Sequence, residues 1–142
     1  MTNKKQLIES INQQGPGFLA MMGGRLVDLN IDKKACTFEF NIGKEFCHSV
    51  YVVQGGFVTA MLDAAMSHAA FVCDQEVANV SSLEIKTSYL AATRAGKLRV
   101  EGWVLKQSYK TAFLESRMYN ENNELTATAS SVAKLIRVNK DG

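Results

Sequence analysis

Apolar residues recur at helical spacing near the N-terminus. Leu7, Ile8 and Ile11 lie at positions i, i+1 and i+4 of an otherwise polar segment, which predicts a short amphipathic helix. The Gly15-Pro16-Gly17 turn ends this pattern. Because only one narrow face is apolar, we expect this helix to pack on the outside of the fold.

Alternating apolar and polar positions predict β-strands on both sides of the chain's middle. Residues 25–30 and 35–41 predict a hairpin that turns at residues 31–34 and places Phe38 and Phe40 on one face. Strands are also predicted at residues 79–90, 97–107, 111–120 and 125–138, with turn residues between them. The short connections favour an antiparallel meander.

Between these groups of strands lies an Ala- and Met-rich segment, residues 53–73, that is almost free of charge. Its length would suit a membrane helix, but it carries Gln54, Asp63 and His68 and lacks flanking basic and aromatic anchors. We therefore predict a helix that is buried on nearly all sides of a folded domain. A sheet can bury such a helix only by curling around it.

Composition predicts one folded domain over residues 1–142. The chain has 46% hydrophobic and 21% charged residues and a net charge of +2. At this length a core needs neither disulfides nor a metal for stability. The near balance of charge and the absence of basic runs disfavour nucleic acid and membrane surfaces as partners.

The cysteines indicate a reducing compartment. Cys36, Cys47 and Cys73 have spacings that fit neither a zinc pair nor a disulfide framework, so we expect buried free thiols. The N-terminal segment lacks an apolar stretch of signal-peptide length, which favours the cytoplasm. No second histidine or acidic cluster has ligand spacing, so no metal site is predicted.

The glycine pair before the apolar helix is the first candidate for chemistry. Gly55 and Gly56 stand where the first helical turn has backbone N–H groups without intrahelical partners. Glycine lets a ligand oxygen approach these groups closely, so the helix start can stabilise a developing oxyanion. The alternative is that the pair only forms the turn into the helix.

Asp63 is the second candidate, two turns into the same helix. A carboxylate on a core helix must face a polar cavity, pair with a partner or take up a proton. Thr59, Asp63 and Ser67 recur at four-residue spacing, which places them on one polar stripe that can line a cleft. Asp63 could instead be a structural carboxylate, and His68 is best interpreted as a core histidine.

These motifs together resemble a known family. The segment from Gln54-Gly55-Gly56 to Asp63, followed by residues 82–90 and 104–107, resembles the hotdog-fold thioesterases of the phenylacetate-degradation type and their mammalian acyl-CoA thioesterase relatives. The resemblance covers residues 27–136. It implies an α+β hotdog fold, in which a curled antiparallel sheet wraps around a long central helix.

The resemblance also implies roles for individual residues. The backbone N–H of Gly55 would polarise a thioester carbonyl, Asp63 would act as general base or nucleophile, and Ser82 would help to position the attacking water. The family's histidine before the glycines is Gln54 here, and the asparagine six residues earlier is His48. Both side chains can still form hydrogen bonds to a substrate.

The predicted function is hydrolysis of a small to medium aliphatic or aromatic acyl-CoA, with no cofactor beyond the coenzyme A of the substrate. Its acyl group would contact Gly56, Phe57, Thr59 and Met61. The resemblance implies a homodimer or homotetramer whose sites combine Gly55 of one subunit with Asp63 and Ser82 of the other. Open edge strands and a half-covered apolar helix point to the same self-association.

Two other functions are compatible with the sequence. The replacements at positions 48 and 54 allow a hotdog protein that binds acyl-CoA without cleaving it, and His48 with Asp63 weakly imitates the acid–base pair of a hotdog dehydratase or hydratase. Arg94, Lys97, Arg99 and Arg137 could contact CoA phosphates, although solvated strand surface is the favoured interpretation of each.

Overall fold

The N-terminal segment forms the amphipathic helix that its spacing predicts. In the computed structural model, which describes residues 3–138, helix α1 spans Lys4–Gln14. Asn3 caps its first turn, because the Asn3 side chain accepts a hydrogen bond from the Gln6 N–H at 2.8 Å. The predicted apolar face is partly buried against the core. A short second helix, α2 (Gly17–Met21), follows Pro16 and was not predicted.

Eight strands lie within residues 3–138. Their bounds are β1 (Gly24–Asn30), β2 (Ala35–Ile42), β3 (Cys47–Ser49), β4 (Val52–Val53), β5 (Val77–Tyr89), β6 (Gly96–Gln107), β7 (Thr111–Tyr119) and β8 (Leu125–Arg137). Six of them form one antiparallel sheet in the order β1-β2-β6-β7-β8-β5, and β3 pairs with β4. The predicted hairpin and the four later strands are confirmed, and the short strands β3 and β4 were missed.

The predicted meander is correct only for β6, β7 and β8. Strand β5 pairs with β8 at the far edge of the sheet, while β6 pairs with β2. The connection after β5 instead runs beside β4, where the Val53 N–H donates to the Thr93 carbonyl at 2.8 Å and Val52 bridges Arg94. Through these tertiary contacts the connection crosses the end of the sheet. The length of a connection in the sequence does not reveal such contacts.

A β-bulge interrupts β5. Its pairing with β8 shifts register between Ser82 and Glu84, so one extra residue is inserted into the edge strand at Leu83. Side chains alternate between faces along a strand, and a one-residue insertion reverses that alternation. Ser82 before the bulge and Thr87 and Tyr89 after it consequently all reach the same helix.

The long apolar helix α3 (Gly55–Val72) lies inside the curled sheet, which is the hotdog arrangement. Phe38 and Phe40 of β2 are fully buried, as the alternation predicts. By length and composition α3 also meets the criterion for a membrane span, with a mean hydropathy of 1.2, but 56% of that span is buried within the fold. A core helix meets the same criterion.

The backbones of α3 and β6 meet at Gly102. A Cβ atom built on Gly102 would lie less than 3.0 Å from backbone atoms of Ala65 and Met66. Cys36, the cross-strand partner of Gly102, donates its thiol to the Ala65 carbonyl at 3.2 Å. Burial raises the pKa of this thiol, so Cys36 remains protonated. All three cysteines are free, as predicted, although Cys47 and Cys73 are only half-buried.

Charged groups hold the segment after α3 against the strands. The Asp74 carboxylate lies 3.5 Å from Arg137 and 4.0 Å from Lys34, and it accepts a hydrogen bond from the Gln107 amide at 3.0 Å. Burial would raise the pKa of Asp74, but the hydrogen bonds from the Glu76 N–H and Gln107 and the two positive charges together lower it. The Asp74 carboxylate is thus stabilised in its charged form by the fold.

We expect Gly102→Ala to lower the free energy of unfolding by at least about 3 kcal/mol, because rigid backbone leaves no space for the added methyl. Gly17→Ala is the matched control, since a Cβ at Gly17 meets nothing within 4 Å. Its unfolding free energy should change by less than about 1 kcal/mol. Urea unfolding compares the two variants, and equal stabilities would contradict the close backbone packing.

We expect Asp74→Asn to lower the free energy of unfolding by about 1–3 kcal/mol at neutral pH. Because the folded-state pKa is lowered, the stabilisation is complete above about pH 4 and is lost as pH falls through the folded-state value. The difference from wild type should therefore shrink in urea unfolding series that run down to about pH 3. Asp32→Asn, at the exposed β1–β2 turn, should show neither effect.

Candidate functional site

Gln54 caps the N-terminus of α3. Its side-chain oxygen accepts a hydrogen bond from the Gly56 N–H at 2.7 Å. A Cβ on Gly56 would lie 2.8 Å from that same oxygen, so a larger residue here would displace the Gln54 side chain. The side chain predicted to orient a substrate is therefore also the helix cap, and its amide nitrogen and one lone pair of its oxygen remain for a ligand.

The Gly55 N–H has no hydrogen-bond acceptor among residues 3–138. The carbonyl of Gln54, in the same peptide group, accepts from the N–H groups of Phe57 and Val58 at 3.0 and 3.2 Å. These bonds polarise the peptide and strengthen its N–H as a donor. At the positive end of an 18-residue helix, this N–H is suited to bind an oxyanion.

A groove of about 570 Å³ opens in front of this N–H. We call it the Gly55 groove. Its lining brings together four of the predicted residues: His48, Gln54, Gly55 and Gly56. His48 lies on β3 with its side chain exposed, so it is accessible to a ligand in the groove.

Tyr89 of β5 closes one side of the Gly55 groove. Its hydroxyl donates to the Gly55 carbonyl at 2.8 Å and lies 2.9 Å from the Thr59 hydroxyl, which lies 2.8 Å from that of Thr87. The prediction that Thr59 faces a polar site is consistent with this network. Tyr89 and Thr87 were not predicted as site residues. Their alternation on a strand within the family motif was the pattern that could have identified them.

Asp63 lies half-buried in the middle of α3 and has two hydroxyl partners. Its Oδ1 atom accepts hydrogen bonds from Ser82 at 3.1 Å and from Ser67 at 3.2 Å. The predicted polar stripe therefore exists, and Ser82 of β5 contacts the acid, while its role in positioning water stays a prediction. Asp63 faces a cleft of about 720 Å³ between α3, α1 and β5, which we call the Asp63 cleft.

The Gly55 groove and the Asp63 cleft are separate in one chain. The two residues are eight positions apart on one helix, or about 12 Å at a rise of about 1.5 Å per residue. A reacting carbonyl oxygen must lie about 3 Å from its oxyanion donor, while a general base reaches the carbonyl carbon through the attacking water. In one chain the oxyanion donor and the carboxylate line two different cavities.

The remaining predicted residues have different surroundings. Phe57 is partly exposed and packs edge-to-face against Phe46, with ring centroids 4.9 Å apart. Met61 is completely buried in the core and lines neither cavity, so its contact with an acyl group stays a prediction. His68 is a core histidine, as expected: burial lowers its pKa, and its Nδ1 lies 2.8 Å from the Ala64 carbonyl oxygen.

Of the residues that the structure describes, neither a group of metal ligands nor Arg99 or Arg137 belongs to the Gly55 groove or the Asp63 cleft. Within the described part of the chain, no three histidine, cysteine or acidic side chains are grouped as metal ligands. Arg99 lies 3.2 Å from Glu101 and stacks on Tyr119, and Arg137 contacts Asp74 and Glu76. These two arginines are occupied by structural contacts.

Sequence comparison links the chain to one superfamily. A sequence model of the thioesterase superfamily matches residues 52–127, which include Gly55, Asp63 and Ser82. No curated protein matches the chain.

Solved structures of similar fold agree with the architecture. A phenylacetic acid degradation-related protein from Ralstonia eutropha superposes with a TM-score of 0.82 at 20% identity, covering 90% of this chain and 98% of its own. The PaaI protein of E. coli has a TM-score of 0.80 at 13% identity, with 91% of each chain covered. A Streptococcus mutans protein bound to acetyl CoA has a TM-score of 0.71 at 14% identity, covering 81% and 90%. These similarities confirm the hotdog fold.

Proposed function

Because the chain belongs to the thioesterase superfamily, we propose that it hydrolyses an acyl-CoA thioester to a carboxylic acid and coenzyme A. The unpartnered Gly55 N–H at the start of α3 carries this proposal, since it is placed to bind a carbonyl oxygen that becomes negative. The Streptococcus mutans neighbour with acetyl CoA supports the choice of CoA thioesters. No cofactor is needed for this reaction.

In the proposed reaction Asp63 acts as general base. The carboxylate removes a proton from water while the water oxygen attacks the thioester carbon, and the carbonyl oxygen takes up the negative charge at the Gly55 N–H. Collapse of this intermediate breaks the carbon–sulfur bond, and the leaving thiolate takes the proton from Asp63. Ser82, which donates to Asp63, would orient the carboxylate and the water.

A second copy of the chain would complete the site. Asp63 cannot reach a carbonyl held at Gly55 of its own helix, so the acid must come from the α3 of a partner. The edge strand β5 and the exposed side chains of Phe71 and Leu83 near the Asp63 cleft provide a surface for such a partner. We propose a homodimer as the smallest active unit and a tetramer of two such dimers as its larger form.

A protein that binds acyl-CoA without cleaving it is the second candidate. It is favoured by one observation: the side-chain oxygen of Gln54 is engaged as the helix cap, which fixes that side chain and leaves its oxygen one lone pair for a substrate. Measuring thiol release beside calorimetric binding for a panel of acyl-CoAs separates the candidates. Binding without thiol release would favour the second, and consumption of an enoyl-CoA would indicate a hydratase instead.

Gly55→Pro tests the oxyanion role directly. Proline lacks the N–H but suits the first position of a helix, and Gln54 already has the extended conformation that precedes proline, with φ −63° and ψ 139°. We expect kcat/KM to fall at least about 100-fold.

Gly55→Ala is the matched control for this variant. It keeps the N–H and adds a Cβ at the same distance from the Tyr89 hydroxyl, 3.1 Å. Its kcat/KM should fall less than about tenfold, in contrast to the proline variant. If kcat/KM fell equally in the two variants, the loss would come from crowding of Tyr89 by the added Cβ and not from removal of the N–H.

Asp63→Asn should lower kcat/KM at least about 100-fold while circular dichroism and unfolding show an intact fold. Asparagine keeps the shape of the side chain but cannot take up the proton from water. Asp32→Asn, at an exposed acid that lines neither the Gly55 groove nor the Asp63 cleft, should retain wild-type thiol release. Wild-type turnover by Asp63→Asn would exclude the proposed base.

Mixing the two inactive variants tests the shared site. A dimer of one Asp63→Asn chain and one Gly55→Pro chain has one intact site, so an equal mixture should recover about a quarter of wild-type activity after subunit exchange. An absence of recovery, with mixed dimers demonstrated by mass spectrometry, would contradict a site built from two chains.

A further inference from the structure

Arg94 is held next to the Gly55 groove by backbone hydrogen bonds. The N–H groups of Val53 and Ala95 donate to the carbonyls of Thr93 and Tyr51, both at 2.8 Å, and Arg94 bridges Val52 between them. Val52 precedes Gly55 by three residues, a span of about 10 Å of extended chain. The position of Arg94 relative to the groove is therefore set by main-chain contacts.

The Arg94 side chain points outward and is free to bind an anion. Its neighbour Thr93 is buried, with its hydroxyl donating to that of Thr126 at 2.9 Å, whereas Arg94 itself is exposed to solvent. Among residues 3–138, no carboxylate pairs with Arg94. This distinguishes Arg94 from Arg99 and Arg137, whose guanidinium groups are occupied.

Tyr51, whose carbonyl accepts from Ala95, presents an exposed ring beside Arg94. Its backbone has a φ of 56°, in the left-handed region where a bulky residue is strained and glycine or asparagine is favoured. Its side chain is nevertheless 58% exposed, so burial of the ring does not compensate for the strain. Tyr51 precedes the Val52–Arg94 bridge, so paired backbone segments present an exposed aromatic ring and a guanidinium, groups that suit the two parts of a phosphorylated nucleoside.

We propose that Arg94 and Tyr51 bind the 3′-phosphoadenosine diphosphate end of coenzyme A. Arg94 pairs with a phosphate, and the Tyr51 ring stacks on the adenine. In CoA the long pantetheine arm separates the thioester from the phosphates, so a phosphate-binding cation must lie away from Gly55, at the mouth of the groove. This inference rests on the proposed function and adds the residues that recognise the nucleotide.

The test compares two thioesters of the same acid, one with coenzyme A and one with N-acetylcysteamine, which lacks the nucleotide. Arg94→Ala should raise KM for the CoA thioester about tenfold and leave KM for the short thioester unchanged. Tyr51→Asn, which removes the ring and suits the left-handed backbone, should act in the same direction. Lys106→Ala, an exposed cation near the other end of β6, is the control and should change neither KM.

Equal changes in KM for both thioesters, or no change for either, would overturn the proposal. Calorimetry with adenosine 3′,5′-bisphosphate supplies a readout that does not depend on hydrolysis. Wild type should bind this nucleotide, with weaker binding at higher salt, and Arg94→Ala should bind it about tenfold more weakly. If wild type releases no thiol but shows this difference, the proposed hydrolysis fails while the nucleotide site stands.

Discussion

The backbone contact between α3 and β6 is the constraint on which the rest of the fold depends. A helix can approach a strand this closely only where neither brings a side chain to the contact, so the strand has Gly102 and the helix has Ala65. The same requirement explains why alanines, rather than larger apolar residues, occupy much of the buried surface of α3. Because the helix packs this closely on the sheet, the strands on either side can curl around it.

The burial of α3 also determines where polar groups can lie. Most of its circumference faces the sheet, which leaves its first turn and the stripe of Thr59, Asp63 and Ser67 for polar contacts. The first turn offers a backbone donor, and the stripe offers a carboxylate. Helix geometry then separates these two groups by about 12 Å, which is the reason for proposing that a second copy of the chain completes the site.

Sequence reasoning predicted the elements better than their arrangement. Apolar spacing located α1, α3 and the main strands, because burial of one face or of all faces leaves a direct pattern in the residues. The pairing of β5 could not be predicted, because it depends on the contact of Thr93 with Val53, which are distant in sequence. Gly55 and Asp63 were predicted from their residue types on an apolar helix and Ser82 from the family resemblance, and the structure places Ser82 against Asp63.

The side-chain contacts of the site were the least accessible to prediction. The cap formed by Gln54 and the hydroxyl network of Tyr89 depend on rotamers and on the position of an edge strand, neither of which alternation reports. Met61 was predicted to contact an acyl group from its place on the helix; the structure buries it completely, and the contact stays a prediction. Composition predicted that the helix is buried but not which of its residues would remain accessible to a ligand.

The single extra residue at the bulge in β5 gives the edge strand two roles. Without it, Ser82 and Tyr89 would lie on opposite faces of the strand, and only one of them could contact α3. With it, the same strand supplies one hydroxyl to the carboxylate and another to the first helical turn. The number of residues in β5 is thus part of the site. Deleting Leu83 would remove no residue of the core, yet it would separate the two halves of the polar network.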